Sequence, residues 1–368
     1  MMGTVVRVAR GEGFGSVVTR AVERVGEEWH RRLLLARGTF AHRPRPQIVN
    51  VAAMPASTRL GGVAVQLRAR LNEERRVREV ALFDRGVLEI GPRGWHAESL
   101  EAIGAKKLIV EGGFADLPNI PQTAEFIVAI HDFSLISSVP HELIVDDVRR
   151  RAAERILGRA RAVVFPSNFL RDAYRSVVPR FEARVVAPGI VAFAPRGVRL
   201  ANRVAFAGSV KWHKGGALMP EILRATPGAQ WHVFGGGDLD LLRRIRATRR
   251  AAVHGYYRAG RLPHLLARHR VGLAVLPSIV PESFSVALSE CWSAGVPVVA
   301  FDRGAIADRI RAEGGGFLVA PDAGAEGIAA CVSDWLRGAI SAVAPAYIPT
   351  ARDAASAHLA LCRELGFL

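Results

Sequence analysis

Residues 281–302 read PESFSVALSECWSAGVPVVAFD, an almost uncharged stretch in a chain that is rich in arginine. Glu282 lies near its start, Asp302 ends it, and Glu290 is the only charged residue between those two. A helix this apolar is predicted to be buried, so the carboxylate of Glu290 needs a buried partner or a ligand. After a glycine that can end the helix, Val296–Ala300 indicates a buried parallel strand.

The two glutamates are eight positions apart, which is roughly 12 Å along a helix at about 1.5 Å per residue. That separation is similar to the distance from the sugar ring of a nucleotide sugar to its ribose. The helix is predicted to begin near Ser283 to Ser285, with free backbone N–H groups where the diphosphate would lie. A plainer interpretation stays open: Glu290 is a core carboxylate that accepts from a nearby N–H, and Glu282 is a helix N-terminal acid favoured by the macrodipole.

The composition indicates a folded chain of two domains. It has 368 residues, of which 50% are hydrophobic, so each of two domains can bury its own core. No apolar run reaches the ~18 residues of a membrane span, and no signal-peptide core follows Met1. Three widely spaced cysteines fit no metal-binding pattern and are expected to be reduced thiols. These features predict a cytoplasmic protein.

The formal net charge of +16 attracts polyanions, and two explanations of it stay open. One is arginine enrichment from a GC-rich genome; the other is a role at an anionic membrane surface, with peripheral binding to the inner face of the cytoplasmic membrane. Basic residues are not interleaved with aromatic ones, so no nucleic-acid partner is expected. Arginine has replaced lysine almost everywhere, and two of the four remaining lysines, Lys211 and Lys214, lie in one short loop. Such a position favours a compact ammonium.

The order of apolar runs predicts an α/β protein with two successive parallel sheets. Residues 1–45 form a basic helical extension whose stripe Val18, Val22, Val25, Trp29 and Leu33 either lies on an anionic membrane or packs on the first domain. The further domains are residues 46–195, residues 196–345 and a C-terminal helix in residues 346–368. The predicted strands are Ile48–Ala53, Val80–Phe83, Leu108–Val110, Phe126–Ile130, Ala162–Phe165 and Arg184–Val186, then Val204–Phe206, Trp231–Phe234, Val271–Leu276, Val296–Ala300 and Phe317–Val319.

The E-x7-E spacing of Glu282 and Glu290, followed by a glycine and a buried strand, resembles the signature of retaining GT-B glycosyltransferases. The chain is similar to glycosyltransferase family 4 over roughly residues 47–325, and most specifically over residues 203–320. The resemblance implies two Rossmann-like domains whose parallel sheets face each other across a cleft, with a last helix that crosses back to the first domain. It makes the N-terminal domain the acceptor domain and the C-terminal domain the one that binds the nucleotide sugar.

In the resembled family the first glutamate faces the donor sugar and the second holds the ribose hydroxyls, which gives those roles to Glu282 and Glu290. The Lys-Gly pair that binds the donor diphosphate corresponds to Lys214 and the glycine after it. The family has an arginine where this chain has Ser209, so either Lys211 takes that role or Ser209 binds by its hydroxyl. The backbone at the start of the helix, formed by Ser283, Phe284, Ser285 and Val286, completes the expected donor site.

In the first domain, Gly61 and Gly62 follow the first strand, where glycines let the backbone approach a phosphate at a helix N-terminus. An ordinary strand–helix turn would use glycine too. His131 ends a buried strand at the carboxyl edge, where α/β sheets bind ligands, and in family members this histidine touches a sugar hydroxyl. A structural histidine is the alternative. Asp238 and Asp240 look like the metal-binding DxD of another fold, but here we predict an N-cap and a first-turn acid, and no metal site.

The expected activity is transfer of a sugar from a nucleotide-sugar donor to a glycan or lipid-linked acceptor, with retention and without a metal or other cofactor. The catalytic candidates are Glu282, His131 and Lys214. Motifs of the second domain are similar to those of bacterial surface-polysaccharide glycosyltransferases, which implies a role in polysaccharide or lipopolysaccharide biosynthesis. Two other classes stay open: another GT-B enzyme, such as a sugar-nucleotide epimerase, and a non-enzymatic basic protein that binds polyanions or membranes.

Overall fold

The structure is a computed structural model that describes Val25 and residues 28–38, 46–52, 62–84, 87–111, 120–191, 193, 199–258 and 260–368. The chain divides into two compact units, one made of Arg24–Gly189 with Pro349–Leu368 and the other containing Ile190–Ile348. Each unit is built on one sheet. The α/β class with two largely parallel sheets is therefore confirmed.

The sheet of the first unit has eight strands in the order β4-β3-β2-β1-β5-β6-β7-β8. From β2 through β1 to β8 all pairs are parallel. The strands are β1 Ile48–Ala52, β2 Ala81–Asp84, β3 Val87–Ile90, β4 Arg93–His96, β5 Lys107–Glu111, β6 Glu125–Ala129, β7 Ala162–Phe165 and β8 Ala183–Val185. Residues 28–38 are helical. The labelled helices of this unit before residue 190 are α1 Gly62–Glu74, α2 Leu100–Ile103, α3 Asp147–Leu157 and α4 Asn168–Val177.

One edge of this sheet departs from the expected parallel arrangement. Strand β3 pairs antiparallel with both β2 and β4. The expected set of six strands omitted β3 and β4, because their sequences Val-Leu-Glu-Ile and Arg-Gly-Trp-His form no continuous apolar run and Gly91-Pro92 separates them. Gly91 adopts φ +55°, a left-handed conformation that a tight turn needs and that glycine adopts at little cost.

The second unit has a fully parallel six-stranded sheet in the order β11-β10-β9-β12-β13-β14. Every residue of β12 and β13 is buried, as expected for central strands with helices on both faces. Its strands are β9 Leu200–Ala207, β10 Gln230–Phe234, β11 Ala251–Gly255, β12 Val271–Leu276, β13 Val298–Phe301 and β14 Gly316–Val319. Its helices are α5 Met219–Ala225, α6 Leu239–Ala247, α7 Leu262–Arg268, α8 Val286–Ser293, α9 Gly304–Glu313 and α10 Gly324–Leu336, with a short 3-10 turn at Pro321–Ala323.

Five of these six strands were expected, and β11 was not. Its sequence Ala-Ala-Val-His-Gly carries one β-branched residue and follows two arginines, so no apolar run marks it. The final helix, α11 Ala351–Glu364, packs on α1 of the first unit. Leu361, Cys362 and Phe367 join Ile109 and Ile127 of the first sheet in one buried cluster. The expected return of the last helix to the first domain is thus confirmed.

Within the described residues, no helix is both long enough and apolar enough to span a bilayer.

Candidate functional site

Two loops at the carboxyl edge of the second sheet contact each other. One follows β9 and the other follows the neighbouring strand β12. Gly215 in the first loop has φ +75°, and a Cβ there would lie 1.9 Å from the carbonyl oxygen of Pro277 in the second. The N–H of Ile279 donates a hydrogen bond of 3.1 Å to the carbonyl of His213. A glycine at position 215 therefore permits the close approach that positions the side chain before it.

That side chain is Lys214, which forms an ion pair with Glu282. Lys214 Nζ lies 2.6 Å from Glu282 Oε1, and the hydroxyl of Ser278 donates to the same oxygen. The side chain of Glu282 is only 11% exposed, and that of Lys214 is 33% exposed. Burial alone would raise the pKa of Glu282, but the charge and hydrogen bond of Lys214 more than offset this and lower it. Glu282 is thus held as a carboxylate beside an ammonium that still faces solvent.

The backbone of Glu282 is also fixed, by the start of α9. The N–H of Ala305 donates a 2.9 Å hydrogen bond to the carbonyl of Glu282. Gly304 has φ +62°, and a Cβ there would lie 2.8 Å from the backbone nitrogen of Glu282. Glu282 lies on the N-terminal side of the apolar helix, as both expected interpretations require, but not in its first turn. Helix α8 begins at Val286, and Glu282 lies in the loop before it.

The predicted start of the helix near Ser283 to Ser285 is confirmed, since Ser285 is the N-cap. Ser285 has φ +66°, an uncommon conformation for a residue with a side chain, and its hydroxyl makes no capping bond. The first N–H groups of α8, beginning with that of Val286, therefore have neither an intrahelical acceptor nor a side-chain cap. The segment Ser283–Val286 presents the kind of backbone donors that bind phosphate.

Arg309 of α9 holds this loop in place. Its guanidinium donates hydrogen bonds of 3.0 Å to the carbonyls of both Phe284 and Ser285, and one of 2.7 Å to the hydroxyl of Ser289. It also stacks 4.1 Å from the ring centroid of Phe284 and 5.0 Å from that of Trp292. Burial lowers the pKa of Arg309 to about 10. The carbonyls of the loop thus point to Arg309, which compensates for the unfavourable φ of Ser285.

Glu290 is buried one turn into α8, with 8% of its surface exposed. Burial raises its pKa to about 7, despite a hydrogen bond from the backbone N–H of Gly260. The plainer interpretation, a core carboxylate satisfied by a nearby N–H, therefore describes this contact correctly. Burial also raises the pKa of the neighbouring Tyr257, and the charge of Glu290 adds to that shift. A carboxylate has about four acceptor sites, and the hydrogen bond from Gly260 uses one, so acceptor capacity remains for a hydroxyl ligand.

The 12 Å separation expected for Glu282 and Glu290 assumed one continuous helix. Only the residues from Val286 onward are helical, and Ser285 turns the chain before them. The rise of about 1.5 Å per residue therefore applies only from Val286 to Glu290, and not from Glu282 to Ser285.

The remaining donor candidates of this unit lie in the loop after β9. Ser209 follows Gly208 directly at the strand end, where Gly208 donates 2.9 Å to the carbonyl of Phe234 in β10. Lys211 is exposed, and its carbonyl accepts from the N–H groups of Lys214 and of the glycine at position 216, at 3.2 and 3.0 Å. The structure therefore brings Lys214, and not Lys211, to Glu282. The choice between Ser209 and Lys211 as second phosphate ligand stays a prediction.

In the first unit, His131 follows β6 at the carboxyl edge, as expected. Its Nε2 lies 3.2 Å from Glu111 Oε2, at the end of the neighbouring strand β5. Arg70 of α1 pairs with Glu111 and lies 3.4 Å from Glu74. Glu74 in turn lies 3.1 Å from Nδ1 of His358 in α11. His131 is therefore the outer end of a chain of ionisable side chains that also contains Glu111, Arg70, Glu74 and His358, which we call the Arg70 network.

The carboxylates of this network are strongly stabilised as anions. Burial would raise the pKa of Glu111, but Arg70 and His131 lower it to about 2. The same competition, in which His358 and Arg70 outweigh burial, lowers the pKa of Glu74 to about 2. Burial lowers the pKa of His358, followed by the charge of Arg70. These residues hold the ring of His131 at the sheet edge, because its partner Glu111 is itself fixed.

Of the two predicted glycines, Gly62 is the first residue of helix α1. Gly61 lies outside the described residues. Asp238 is the N-cap of α6, with its carboxylate accepting from the N–H groups of Asp240 at 2.9 Å and Leu241 at 3.2 Å. The predicted cap is confirmed, and Asp240 is the expected first-turn acid.

Several residues of these clusters were not predicted from the sequence. Ser278 stands two residues beyond the end of β12 and four before Glu282, and this position at a carboxyl edge was a usable signal. The sequence contains no such signal for Arg309 or Arg70. Lysine and arginine together number 50, and the sequence does not distinguish a buried arginine from an exposed one. Glu111 closes an apolar strand, as His131 nearly does, and could have been paired with it.

Comparisons with known proteins bear on these clusters. Residues 201–337 match the family model described as "Glycosyl transferases group 1". This match supports the conclusion that the protein is a glycosyltransferase. These residues include the β9 loop, Lys214, Glu282 and Glu290. A comparison with curated protein sequences gave no match.

Solved structures share the fold at low sequence identity. Sucrose-phosphate synthase from Thermosynechococcus elongatus matches at 17% identity and a TM-score of 0.63, covering 88% of this chain and 97% of its own. HepE of Anabaena, solved in complex with UDP and glucose, matches at 15% identity and a TM-score of 0.61, covering 88% and 100%. AviGT4, a glycosyltransferase involved in avilamycin A biosynthesis, matches at 16% identity and a TM-score of 0.56, covering 87% and 98%. The fold is that of GT-B glycosyltransferases.

Proposed function

We propose that the protein is a retaining glycosyltransferase of the family 4 type, which transfers a sugar from a nucleoside diphosphate sugar to a glycan or lipid-linked acceptor. The observation that carries the proposal is the cluster of Lys214, Glu282 and Ser278 in the loops before the uncapped N-terminus of α8. A cation, a buried carboxylate and a row of free N–H groups are the groups that transfer from a diphosphate leaving group requires.

Each group of the cluster has a distinct role in this proposal. Lys214 has three ammonium protons, one of which is directed to Glu282, so two remain for the oxygens of the diphosphate. The N–H groups from Val286 onward stabilise the same developing charge. Glu282, ionised because of Lys214, stabilises positive charge at the anomeric carbon as its bond to the phosphate oxygen breaks. The acceptor hydroxyl then adds to that carbon, and its proton passes to the departing phosphate.

Glu290 binds the ribose hydroxyls in this scheme, and His131 contacts a hydroxyl of the donor sugar. The buried position of Glu290 and the acceptor sites that its contact with Gly260 leaves unused support the first role. The fixed ring of His131 at a carboxyl edge supports the second. UDP is the first nucleotide to test, since HepE was solved with UDP and glucose and shares this fold.

The decisive experiment is a calorimetric screen of the purified protein against UDP, GDP, dTDP and ADP, followed by transfer assays with sugars of the preferred nucleotide. We expect Glu290→Ala to weaken nucleotide binding at least tenfold. Glu282→Ala should reduce turnover much more than nucleotide affinity. Glu221→Ala, an exposed acid on α5, is the matched control and should change neither. Retention is tested by the anomeric configuration of the first product, read by proton NMR.

The alternatives give different results in the same experiment. An epimerase would convert the sugar nucleotide without an acceptor. A polyanion-binding protein would bind all nucleotides weakly, with an affinity that falls steeply with salt and does not depend on Glu290. Full transfer activity in both Glu290→Ala and Glu282→Ala would show that the proposed site is wrong.

We further propose that the acceptor is met at the inner face of an anionic membrane, as part of surface-polysaccharide biosynthesis. The formal charge of +16 supports this. Val25, Trp29 and Leu33 of the N-terminal helical segment also support it, being 70%, 64% and 39% exposed at one-turn spacing. The other face of this segment packs on the first sheet, where the buried Leu34 lies against Gly94 of β4. Packing on the first domain therefore accounts for one face of this segment, and the membrane contact that we propose would use the other. Val18 and Val22 of the predicted stripe lie outside the described residues.

Sedimentation with vesicles containing phosphatidylglycerol tests the membrane proposal. Trp29→Ser should reduce the bound fraction several-fold, because it removes the largest apolar side chain of the exposed stripe. Val148→Ser is the control, since Val148 is 79% exposed on α3, outside the N-terminal stripe. Equal vesicle binding by all three proteins would contradict the proposal.

A further inference from the structure

Three histidines lie close together beside strands β10 and β11 of the second sheet, and none has a role in the proposed sugar transfer. His232 is in β10, His254 is in β11, and His269 follows helix α7. One ring nitrogen from each lies within 4.8 Å of the others, and Nδ1 of His232 lies 3.0 Å from Nε2 of His254. Three sequentially remote imidazoles thus converge on one point.

The strand pairing explains how His254 reaches this point. Strands β10 and β11 pair in parallel, with His232 opposite Ala252, but the register shifts between Val233 and Phe234. Phe234 pairs with Gly255, which leaves His254 as the extra residue of a bulge. A bulge redirects the side chain of its extra residue. Here it turns the His254 ring onto the ring of Phe234, 4.5 Å away, and toward His232.

Phe234 forms the apolar floor of the cluster. It is fully buried, shares its face of β10 with His232 two residues earlier, and lies 5.5 Å from the ring of His269. His232 and His269 are half-buried, and His254 is exposed. An ion can therefore reach the three rings from the side of His254, and the buried ring of Phe234 excludes water from the opposite side.

The charges around the cluster are consistent with neutral imidazoles. Burial lowers the pKa of His232 to about 4, with the neighbouring His269 and His254 adding to the shift. Burial likewise lowers the pKa of His254 and His269. Among the described residues no carboxylate pairs with any of the three rings. No carboxylate therefore favours the protonated form of these rings. A neutral imidazole has a lone pair on one ring nitrogen, and this is the form that binds metals.

We propose that His232, His254 and His269 form a binding site for one divalent transition-metal ion of the zinc class. Three neutral imidazoles without carboxylates suit Zn²⁺, Co²⁺, Ni²⁺ or Cu²⁺ and not Mg²⁺ or Ca²⁺, which prefer oxygen ligands. With metal–nitrogen bonds of about 2.0–2.1 Å, the three nitrogens need only small side-chain rotations to surround one ion. A fourth position remains for water.

Such an ion would join the edge strand β11 and helix α7 to strand β10. It lies outside the loops that carry Lys214 and Glu282, so it has no part in the sugar transfer proposed above. The charges of Arg268 and Arg203, which also lower the pKa of His269, oppose a cation. The affinity for the ion should accordingly be lower than that of a structural zinc site. We expect the ion to bind reversibly and to stabilise the edge of the sheet.

The test is calorimetric titration of the untagged, chelator-treated protein with ZnCl₂, together with the visible absorption of bound Co²⁺. We expect one saturable site, loss of at least tenfold in affinity in His254→Gln and His232→Gln, and a higher Tm with Zn²⁺ than without it only in proteins that retain the site. His264→Gln is the matched control. His264 lies in the same helix α7 region, but its ring contacts Phe193 at 4.6 Å.

The proposal is overturned if no saturable Zn²⁺ or Co²⁺ binding occurs. It is equally overturned if His254→Gln and His232→Gln, both shown to be folded by circular dichroism, bind as tightly as His264→Gln.

Discussion

Replacing Arg70 by alanine tests the Arg70 network, which joins α1, two strand ends and the last helix. In the wild-type protein the guanidinium lies between Glu111 and Glu74, whose side chains are 6% and 0% exposed. Arg70→Ala leaves Glu111 with His131 as its remaining partner in the network. Removing one member of a buried ion pair costs about 3–5 kcal/mol, because the other charge remains buried and uncompensated.

The pKa values of the two carboxyl groups give a similar magnitude. Each falls from 4.5 to about 2, which corresponds to roughly 3 kcal/mol per group at about 1.36 kcal/mol per pKa unit. Arg70 supplies part of each shift, so a cost of about 4 kcal/mol is expected for Arg70→Ala. Against a domain stability of about 5–15 kcal/mol, this leaves the first unit folded but much weaker.

Hydrogen exchange measured by mass spectrometry on peptides from β5 and β6 reports the free energy of unfolding of this unit alone. The control is Arg76→Ala in the turn just after the same helix, which breaks an ion pair of 2.8 Å in which the arginine is 64% exposed. It should cost no more than about 1 kcal/mol. Equal small effects of Arg70→Ala and Arg76→Ala would refute the reasoning.

The network also has an expected pH dependence. The folded-state pKa values of Glu111 and Glu74 lie below their unfolded values, so their stabilising contribution is present above pH 4.5 and is lost as the pH falls toward 2. The first unit should therefore lose stability in this window, and Arg70→Ala should flatten the loss. An unchanged slope in the variant would show that Arg70 does not control these groups.

The remaining predictions concern the second unit. Gly215→Ala should lower turnover at least tenfold, because the added Cβ would overlap the backbone carbonyl of Pro277 and displace Lys214. The control for backbone strain alone is Gly338→Ala, since Gly338 has φ +69° and a Cβ there would have no atom within 4 Å. Arg309→Lys should weaken nucleotide binding several-fold by releasing the loop before α8, whereas Arg311→Lys, on the exposed side of α9, should not. Nucleotide affinity should fall as the pH drops below about 7, where Glu290 becomes protonated and stops accepting two hydroxyls, and Glu290→Gln should remove that dependence.

Each of these predictions has a clear contradicting result. Wild-type turnover in Gly215→Ala would mean that the two loops do not need their close approach. Equal nucleotide affinity in Arg309→Lys and Arg311→Lys would remove Arg309 from the site. An affinity that is flat between pH 8 and pH 6 would show that Glu290 is not the group that binds the nucleotide.

The sequence was most informative where an unusual residue stood out against its surroundings. Glu290 was a single charge in an apolar helix, and Lys214 was a lysine among arginines, and the structure places both in the predicted elements. The ion pair between Lys214 and Glu282 could not be predicted, because it depends on two loops separated by more than sixty residues and on the conformation of Gly215. Periodicity carries no information on such contacts.

Arginine enrichment concealed other features. Arg70 and Arg309 are buried and decisive for their surroundings, yet in the sequence they look like the solvated arginines around them. Short elements were missed for a different reason. Strands β3, β4 and β11 contain charged residues, histidine or glycine in place of a continuous apolar run, so their sequences do not differ from those of loops. Their pairing is fixed by the neighbouring strands.

The return of α11 to the first sheet has a consequence for biosynthesis. Leu361, Cys362 and Phe367 complete a buried cluster on strands made more than two hundred residues earlier, and His358 supplies a partner to Glu74. On the ribosome, the sheet whose strands emerge first must wait for the last residues of the chain, while the contiguous second sheet can fold before it. The segment synthesised first is therefore expected to reach its native state last, and to be the part most dependent on chaperones.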